Sequence, residues 1–179
     1  MLDNFVKAGD MPQEVIEKYR DRVPEELVQI WQEDGLGTFL DGYLKVINPD
    51  DYIELVRDSY FNGERVIPIF VTAFGDVVTW EDGAYVGLLE YKSEDVDIMI
   101  KNFKHFLRFV GDDDFKEEFF DFPLFHQAVV KYGELAFDEC FGFVPLLPLG
   151  GKKDVKHMDK VKILEHLDLL VQVTGGIPA

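Results

Sequence analysis

The stretch from Val66 to Tyr91 constrains the fold more than any other part of the chain. It contains three runs rich in β-branched and aromatic residues, separated by the short connections Gly75-Asp76 and Glu81-Asp82-Gly83. Residues in such connections tolerate positive φ, and the pattern is typical of a three-stranded antiparallel meander. Pro68 donates no ladder hydrogen bond, so the first strand is expected to begin near it or to lie at an edge there.

The segments before this meander carry helical signals. Pro12 and Pro24 each stand at the start of a predicted helix, with acids following them in the first turn. Asn48-Pro49-Asp50-Asp51 predicts a third helix start, because asparagine caps free backbone N–H groups and the acids favour the positive end of the helix dipole. Residues 36–42 are interpreted as a connection punctuated by glycine, and a short strand is expected from Tyr43 to Ile47.

After the meander the pattern changes from strand to helix. Alternation between Asp95 and Ile100 indicates one more strand, and the period becomes helical from Lys101 to Val110. The run Gly111 to Asp114 marks a change to a mainly helical C-terminal part. The segment Asp138 to Gly151 has two prolines and three glycines but many apolar residues, so it is expected to be extended and buried between the two parts. Further helices are predicted over residues 112–120, 123–132 and 164–173.

Together these patterns predict an α+β fold. We expect a small antiparallel sheet of three to five strands, covered by helices, with the mainly helical C-terminal part packed on it. Such a sheet must bury at least one face because its strands are so rich in apolar residues.

Charge is the most informative bulk property. The 179 residues include 35 acids against 18 lysines and arginines, a formal net charge of −17, so nucleic-acid binding is disfavoured. Such acidity either keeps the protein soluble or complements a basic partner, and both explanations stay open. No apolar run approaches the roughly 20 residues of a membrane span, and the first residues do not resemble an export signal. A single cysteine fits a reducing cytoplasm, which is the expected location.

Searches for catalytic, cofactor and metal motifs find none. The four histidines never occur as His-x-x-x-His, and the lone cysteine has no Cys-x-x-Cys partner. The acidic run fails as a calcium loop, because Lys116 takes a ligand position and Glu117 replaces the required glycine. A phosphate loop at residues 150–153 lacks its earlier glycine, since Leu146 stands there, and has Lys153 in place of serine or threonine. We therefore assign no catalytic residue, cofactor or metal.

One segment keeps an alternative open. Asp138 and Glu139 abut apolar residues, so they serve either as acceptors for backbone donors or as acid and base groups. Cys140 serves either as a nucleophile paired with a histidine or as a small buried hydrophobe, and the second role is favoured. An enzyme or small-ligand site near Asp138 to Cys140 is therefore the second hypothesis for this chain.

Several separated motifs, in the same order, resemble a bacterial family that pairs an N-terminal GAD-like domain with a C-terminal domain found in immunity proteins. The motifs are Asp34-Gly35-Leu36-Gly37, Tyr43-Leu44-Lys45-Val46-Ile47-Asn48-Pro49, Ile67-Pro68-Ile69-Phe70-Val71-Thr72-Ala73-Phe74-Gly75-Asp76 and Asp138-Glu139-Cys140-Phe141-Gly142-Phe143-Val144-Pro145-Leu146-Leu147. The resemblance implies a GAD-like α+β domain over residues 1–101 and a mainly helical C-terminal domain over residues 102–179. Members of this family include proteins that neutralise DNase toxins delivered by type VI secretion.

The resemblance also implies a function by binding. We expect a cytoplasmic immunity protein that binds a cognate toxin, a basic protein and a nuclease, with no role for nucleic acid or membrane. An acidic surface suits this task because the substrate groove of a nuclease is basic. The predicted contact residues lie where acids are densest in the sequence: Glu81, Asp82, Asp112, Asp113, Asp114, Glu117 and Glu118.

Overall fold

An antiparallel sheet of seven strands runs through the structure, a computed structural model that describes residues 2–179. Its spatial order follows the chain: β1 (Val6–Gly9), β2 (Leu36–Phe39), β3 (Leu44–Val46), β4 (Val66–Thr72), β5 (Val77–Glu81), β6 (Tyr85–Glu90) and β7 (Asp95–Lys101). A separate hairpin pairs β8 (Glu139–Phe143) with β9 (Met158–Lys162). The helices are α1 (Gln13–Tyr19), α2 (Glu25–Glu33), α3 (Ile53–Ser59), α4 (Phe103–Phe109), α5 (Asp113–Phe119), α6 (Phe122–Tyr132) and α7 (Ile163–Thr174).

The α+β class is confirmed, but the predicted sheet of three to five strands is wrong. The sequence prediction accounted for β3 to β7 and missed β1 and β2. Glycine is depleted in strands, so Gly37 made residues 36–42 look like a connection. Here Gly37 has a structural use, because a Cβ at this position would overlap the carbonyl oxygen of Val6 on β1. The hairpin β8–β9 was also missed, because the prolines and glycines around it suggested an irregular segment.

Both faces of the sheet are covered. On one face, α1, α2, α4, α5 and α6 pack on residues such as Phe70 and Val78, which belong to an aromatic-rich cluster. On the other face, α3 and α7 cover Val71 and Val77 in a second cluster. Burial on both faces explains why β4 and β5 read as nearly continuous apolar runs instead of alternating ones, since every residue of these two strands is buried.

Backbone hydrogen bonds join β8 and the residues after α7 to earlier parts of the chain. The Phe141 N–H donates to the Ala73 carbonyl at 2.7 Å, which joins β8 to the turn after β4. Near the end of the chain, the Ile177 N–H donates to the Ser59 carbonyl at 2.7 Å, and the Phe61 N–H donates to the Ile177 carbonyl at 3.1 Å. Ile177 thereby forms a short parallel bridge beside the end of α3. These contacts join segments more than 60 residues apart in sequence.

Among residues 2–179, no helix combines the length and the apolar character that crossing a membrane requires.

Candidate functional site

The predicted acidic run forms an exposed helix surface. Phe115 and Phe120 turn inward from α5 and its end, and the Phe115 ring lies 6.0 Å from the Phe106 ring. All five acids of the run, Asp112, Asp113, Asp114, Glu117 and Glu118, are exposed. Lys116 pairs with Asp113 at 3.1 Å, but the Asp113 side chain remains almost fully exposed, so the pair neutralises little charge.

Strand β7 brings further acids to this surface. Burial and the nearby carboxylates of Asp95, Glu90 and Glu118 raise the pKa of Asp97, so Glu118 on α5 lies close to the acids of β7. Strand β7 is the last strand of the sheet and pairs only with β6, so its outer edge has no strand partner within residues 2–179. We call the combined surface the acidic face. It comprises Asp95, Asp97, Asp112, Asp113, Asp114, Glu117 and Glu118.

The other two predicted contact residues lie elsewhere. Glu81 is only 2% exposed, and its carboxylate accepts hydrogen bonds from the hydroxyls of Tyr60 at 2.8 Å and Thr79 at 3.0 Å. Asp82 is exposed at the β5–β6 turn and pairs with Arg65 at 2.7 Å. This turn adjoins the Lys101 end of β7, about 20 Å along the strand from its Asp95 end at 3.3 Å per residue. The structure therefore assembles the α5 acids with β7 and separates them from Glu81 and Asp82.

A buried ionic cluster lies at the β4–β5 turn, and sequence reasoning missed it. The Lys92 ammonium donates to Asp76 at 2.6 Å and to Glu90 at 2.9 Å, and both partners of the Asp76 pair have side chains only 5% exposed. Burial raises the pKa of Asp76 to about 6, against the opposing charge of Lys92. The second Asp76 oxygen accepts from the Thr72 hydroxyl at 3.2 Å. Because its charges are already paired and shielded from solvent, the cluster offers no free group to a substrate.

Lys45 is a second buried charge. It is fully buried on β3, and its ammonium donates to the Ala136 carbonyl at 3.3 Å. Burial lowers the pKa of Lys45 to about 8, and the charges of Glu139 and Asp138 offset only part of this effect. Cys140 lies nearby, and burial raises the pKa of its thiol to about 12. A buried thiol that stays protonated is a poor nucleophile, which favours the role of a small hydrophobe for Cys140.

A cleft of about 350 Å³ opens beside Asp138, where the second hypothesis expected a site. One wall comes from the β2 start and the segment before α3, and the other comes from the segment before β8 and the start of α7. Its lining consists of Leu36, Ile47, Asn48, Asp51, Tyr52, Phe137, Asp138, Lys162, Ile163, Leu164 and Glu165. The Lys162 ammonium pairs with Asp138 at 2.8 Å, which lowers the pKa of that carboxyl. Asp138 is thus an exposed, ionised surface group with no features of a catalytic acid.

No group of three or more histidine, cysteine or acidic side chains within residues 2–179 is arranged to hold a metal ion. The acids of α5 and β7 are adjacent without converging on a common point. The acidic face is therefore suited to long-range attraction of a basic surface, which requires a field of charge and no enclosed coordination site.

Comparisons with known proteins match each half of the chain to a different family model. The family model for the GAD-like domain matches residues 1–89, and the model for the C-terminal domain of the T6SS immunity protein Tdi1 matches residues 100–174. The crystal structure of Atu4351 from Agrobacterium tumefaciens is similar with a TM-score of 0.78, covering 94% of this chain and 85% of that chain. At 20% identity this similarity shows the shared fold alone. A comparison with curated proteins gives no match.

These matches confirm the resemblance carried by the four sequence motifs. They leave the division at residue 101 a prediction, because the two matched ranges end and begin at residues 89 and 100. The chain combines a GAD-like domain with a C-terminal domain of the Tdi1 family of type VI secretion immunity proteins.

Proposed function

We propose that this protein binds and neutralises a cognate type VI secretion toxin, and that the toxin is a basic nuclease. The match of residues 100–174 to the Tdi1 immunity domain carries this proposal. The protein acts by binding, without catalysing a reaction, in the cytoplasm where a nuclease meets its substrate. Its net charge of −17 supports a basic partner, since electrostatic attraction speeds encounter between oppositely charged proteins.

The proposed contact surface is the acidic face of α5 and β7. Its acids are exposed and lie on a helix whose apolar residues are fixed in the core, so they occupy stable positions. We leave Glu81 out of this surface because it is buried, and Asp82 because Arg65 pairs with it.

Formation of a complex is the direct test of the proposed function. The product of the neighbouring gene is co-expressed with this protein and the mixture is purified through a tag on one partner. We expect a stable complex in which the nuclease activity of the toxin is lost. Recovery of an active toxin free of this protein would contradict the proposal.

Charge reversal on α5 tests the contact surface. We expect the triple variant Asp113→Lys, Asp114→Lys, Glu117→Lys to weaken toxin binding at least about tenfold, because it replaces attraction by repulsion at the interface. The dependence of affinity on salt concentration should fall as well, since fewer favourable charge pairs remain to be screened. Titration calorimetry at two salt concentrations measures both effects.

The matched control reverses three exposed acids on α1 and α2: Glu14→Lys, Glu17→Lys and Glu33→Lys. It changes the net charge by the same amount at a different place on the surface. Equal weakening by both triple variants would mean that general acidity, and no particular face, governs binding. Unchanged affinity in the α5 variant would remove the acidic face from the interface.

A further inference from the structure

The cleft between the two family domains has walls of unlike character. Its sides are apolar, formed largely by Leu36, Phe137 and Leu164. Its polar residues include the carboxylates of Asp51, Asp138 and Glu165 against the single ammonium of Lys162. A cleft with this balance repels anions and favours a ligand with an apolar body and a positive end.

Three oxygen groups in this lining are free to accept hydrogen bonds. Tyr52 is 6% exposed, and its hydroxyl makes no hydrogen bond with any described residue. The side-chain carboxylates of Asp51 and Glu165 have no hydrogen bond or ion pair within the described chain. The Tyr52 hydroxyl is not among the side-chain atoms that are sealed from solvent without a partner, so its oxygen reaches the solvent. A donor from outside the chain could bind it there in place of water.

The charge state of Asp51 favours the same ligand. Partial burial of this otherwise exposed side chain, together with the neighbouring Asp50 carboxylate, raises the pKa of Asp51. The Lys18 ammonium donates to Asp50 at 2.8 Å and the Tyr19 hydroxyl donates to Asp50 at 2.6 Å. Neither group donates a hydrogen bond to Asp51. A cation placed beside Asp51 would stabilise its ionised form.

We propose that this cleft receives an arginine side chain of the toxin, an inference that rests on the proposed function. The aliphatic part of arginine packs against Leu36, Phe137 and Leu164, and its guanidinium donates to the free oxygens of Tyr52, Asp51 and Glu165. Arginine fits better than lysine because its five N–H donors in a rigid plane serve several acceptors at once. Arginine is also enriched among the residues that dominate binding energy at protein interfaces.

The site engages both domains with one side chain. Leu36, Asp51 and Tyr52 belong to the GAD-like half, whereas Phe137, Leu164 and Glu165 belong to the half matched by the immunity domain. An arginine held here would therefore contact both domains at once, so its binding would depend on their relative position.

Two variant pairs test the cleft with the neighbouring-gene toxin. Leu164→Trp narrows the opening at a position that is 41% exposed, so we expect normal folding and at least tenfold weaker toxin binding. Leu169→Trp is its control, since Leu169 is 46% exposed on the same helix and outside the cleft. Asp51→Asn should weaken binding severalfold, while Glu54→Gln, on an exposed acid outside the cleft, should leave it unchanged.

A small probe tests the cleft without the toxin. N-acetyl-L-arginine amide is titrated to millimolar concentrations, and the methyl NMR signals of Leu36 and Leu164 are followed. We expect both signals to shift in the wild type and to shift less in Asp51→Asn. N-acetylcitrulline amide, which has nearly the same shape and no charge, should cause much smaller shifts.

The outcomes separate this inference from the proposed function. A wild-type complex whose affinity is unaffected by Leu164→Trp and Asp51→Asn would overturn the arginine site and leave the proposed function intact. Absence of any wild-type complex would overturn the proposed function, and the probe would then decide the inference alone. If no complex forms, equal shifts with the arginine and citrulline probes, or no shifts with either probe, would overturn the arginine site.

Discussion

Replacing Asp76 by alanine is expected to lower the free energy of unfolding by about 3–5 kcal/mol, the range observed when one partner of a buried ion pair is removed. In the variant, the Lys92 ammonium stays buried with only the partly exposed Glu90 as its partner. The Thr72 hydroxyl also loses an acceptor. Urea denaturation at pH 7, followed by circular dichroism, measures the change.

Two further variants identify the cause of this loss. Asp95→Ala removes an exposed acid and should change stability by less than about 0.5 kcal/mol. The double variant Asp76→Leu, Lys92→Met removes both charges, so it should recover much of the stability lost by Asp76→Ala, because no unpaired charge remains buried. A double variant as unstable as Asp76→Ala would show that the shape of this turn matters more than its charge.

Replacing Lys45 by methionine is expected to raise the free energy of unfolding at pH 7 by about 3 kcal/mol. The pKa of Lys45 is about 8 in the folded chain against 10.5 for an ordinary lysine, and each unit of such a shift corresponds to about 1.4 kcal/mol. Methionine has a similar length and requires no solvation of a charge. Ala136 is exposed, so its carbonyl can accept a hydrogen bond from water once the ammonium is gone.

The advantage of the methionine variant should depend on pH. The folded pKa of Lys45 is lowered, so between pH 10.5 and 8 the unfolded chain binds a proton that the folded chain does not. Wild-type stability therefore falls as pH decreases through this window and keeps the full penalty below pH 8. The difference between the two proteins should be largest near pH 7 and should shrink toward pH 10.5.

Denaturation curves at pH 7, 9 and 10 test this dependence. Lys156→Met is the control, because Lys156 is exposed and should change stability by less than about 0.5 kcal/mol at every pH. A Lys45→Met variant that is less stable than the wild type at pH 7 would show that the contact with Ala136 outweighs the burial penalty.

The sequence allowed the centre of the fold to be predicted better than its edges. Strands β4 to β6 can be predicted from the sequence because both of their faces are buried. Such burial requires the apolar runs that Val66 to Tyr91 contains. Strand β1 has only four residues and three of them are exposed, so it carries almost no hydrophobic pattern. Its pairing with Gly37 on β2 depends on a close approach between backbones, which single residues do not reveal.

The candidate site shows a similar limit. The five acids of residues 112–118 were predicted from local density, and the structure places all of them on the surface. Glu81 has the same local signal but continues β5, where its side chain meets Tyr60 from α3's end. A Cβ at Gly87 on the neighbouring strand would overlap the Glu81 carboxylate, so this glycine leaves the space that the buried acid occupies. Such cross-strand fits depend on register, which local sequence does not specify.

The bridge between Ile177 and the residues around Ser59 affects how the chain unfolds. It links the last turn after α7 to the GAD-like half, while the bond between Phe141 and Ala73 adds a second link. The two parts of the chain, which match separate family models, are thus bonded through the middle of the later part and through its C-terminal end. We expect calorimetry to record a single melting transition for the whole chain, and two resolved heat-absorption peaks would show that the two parts melt independently.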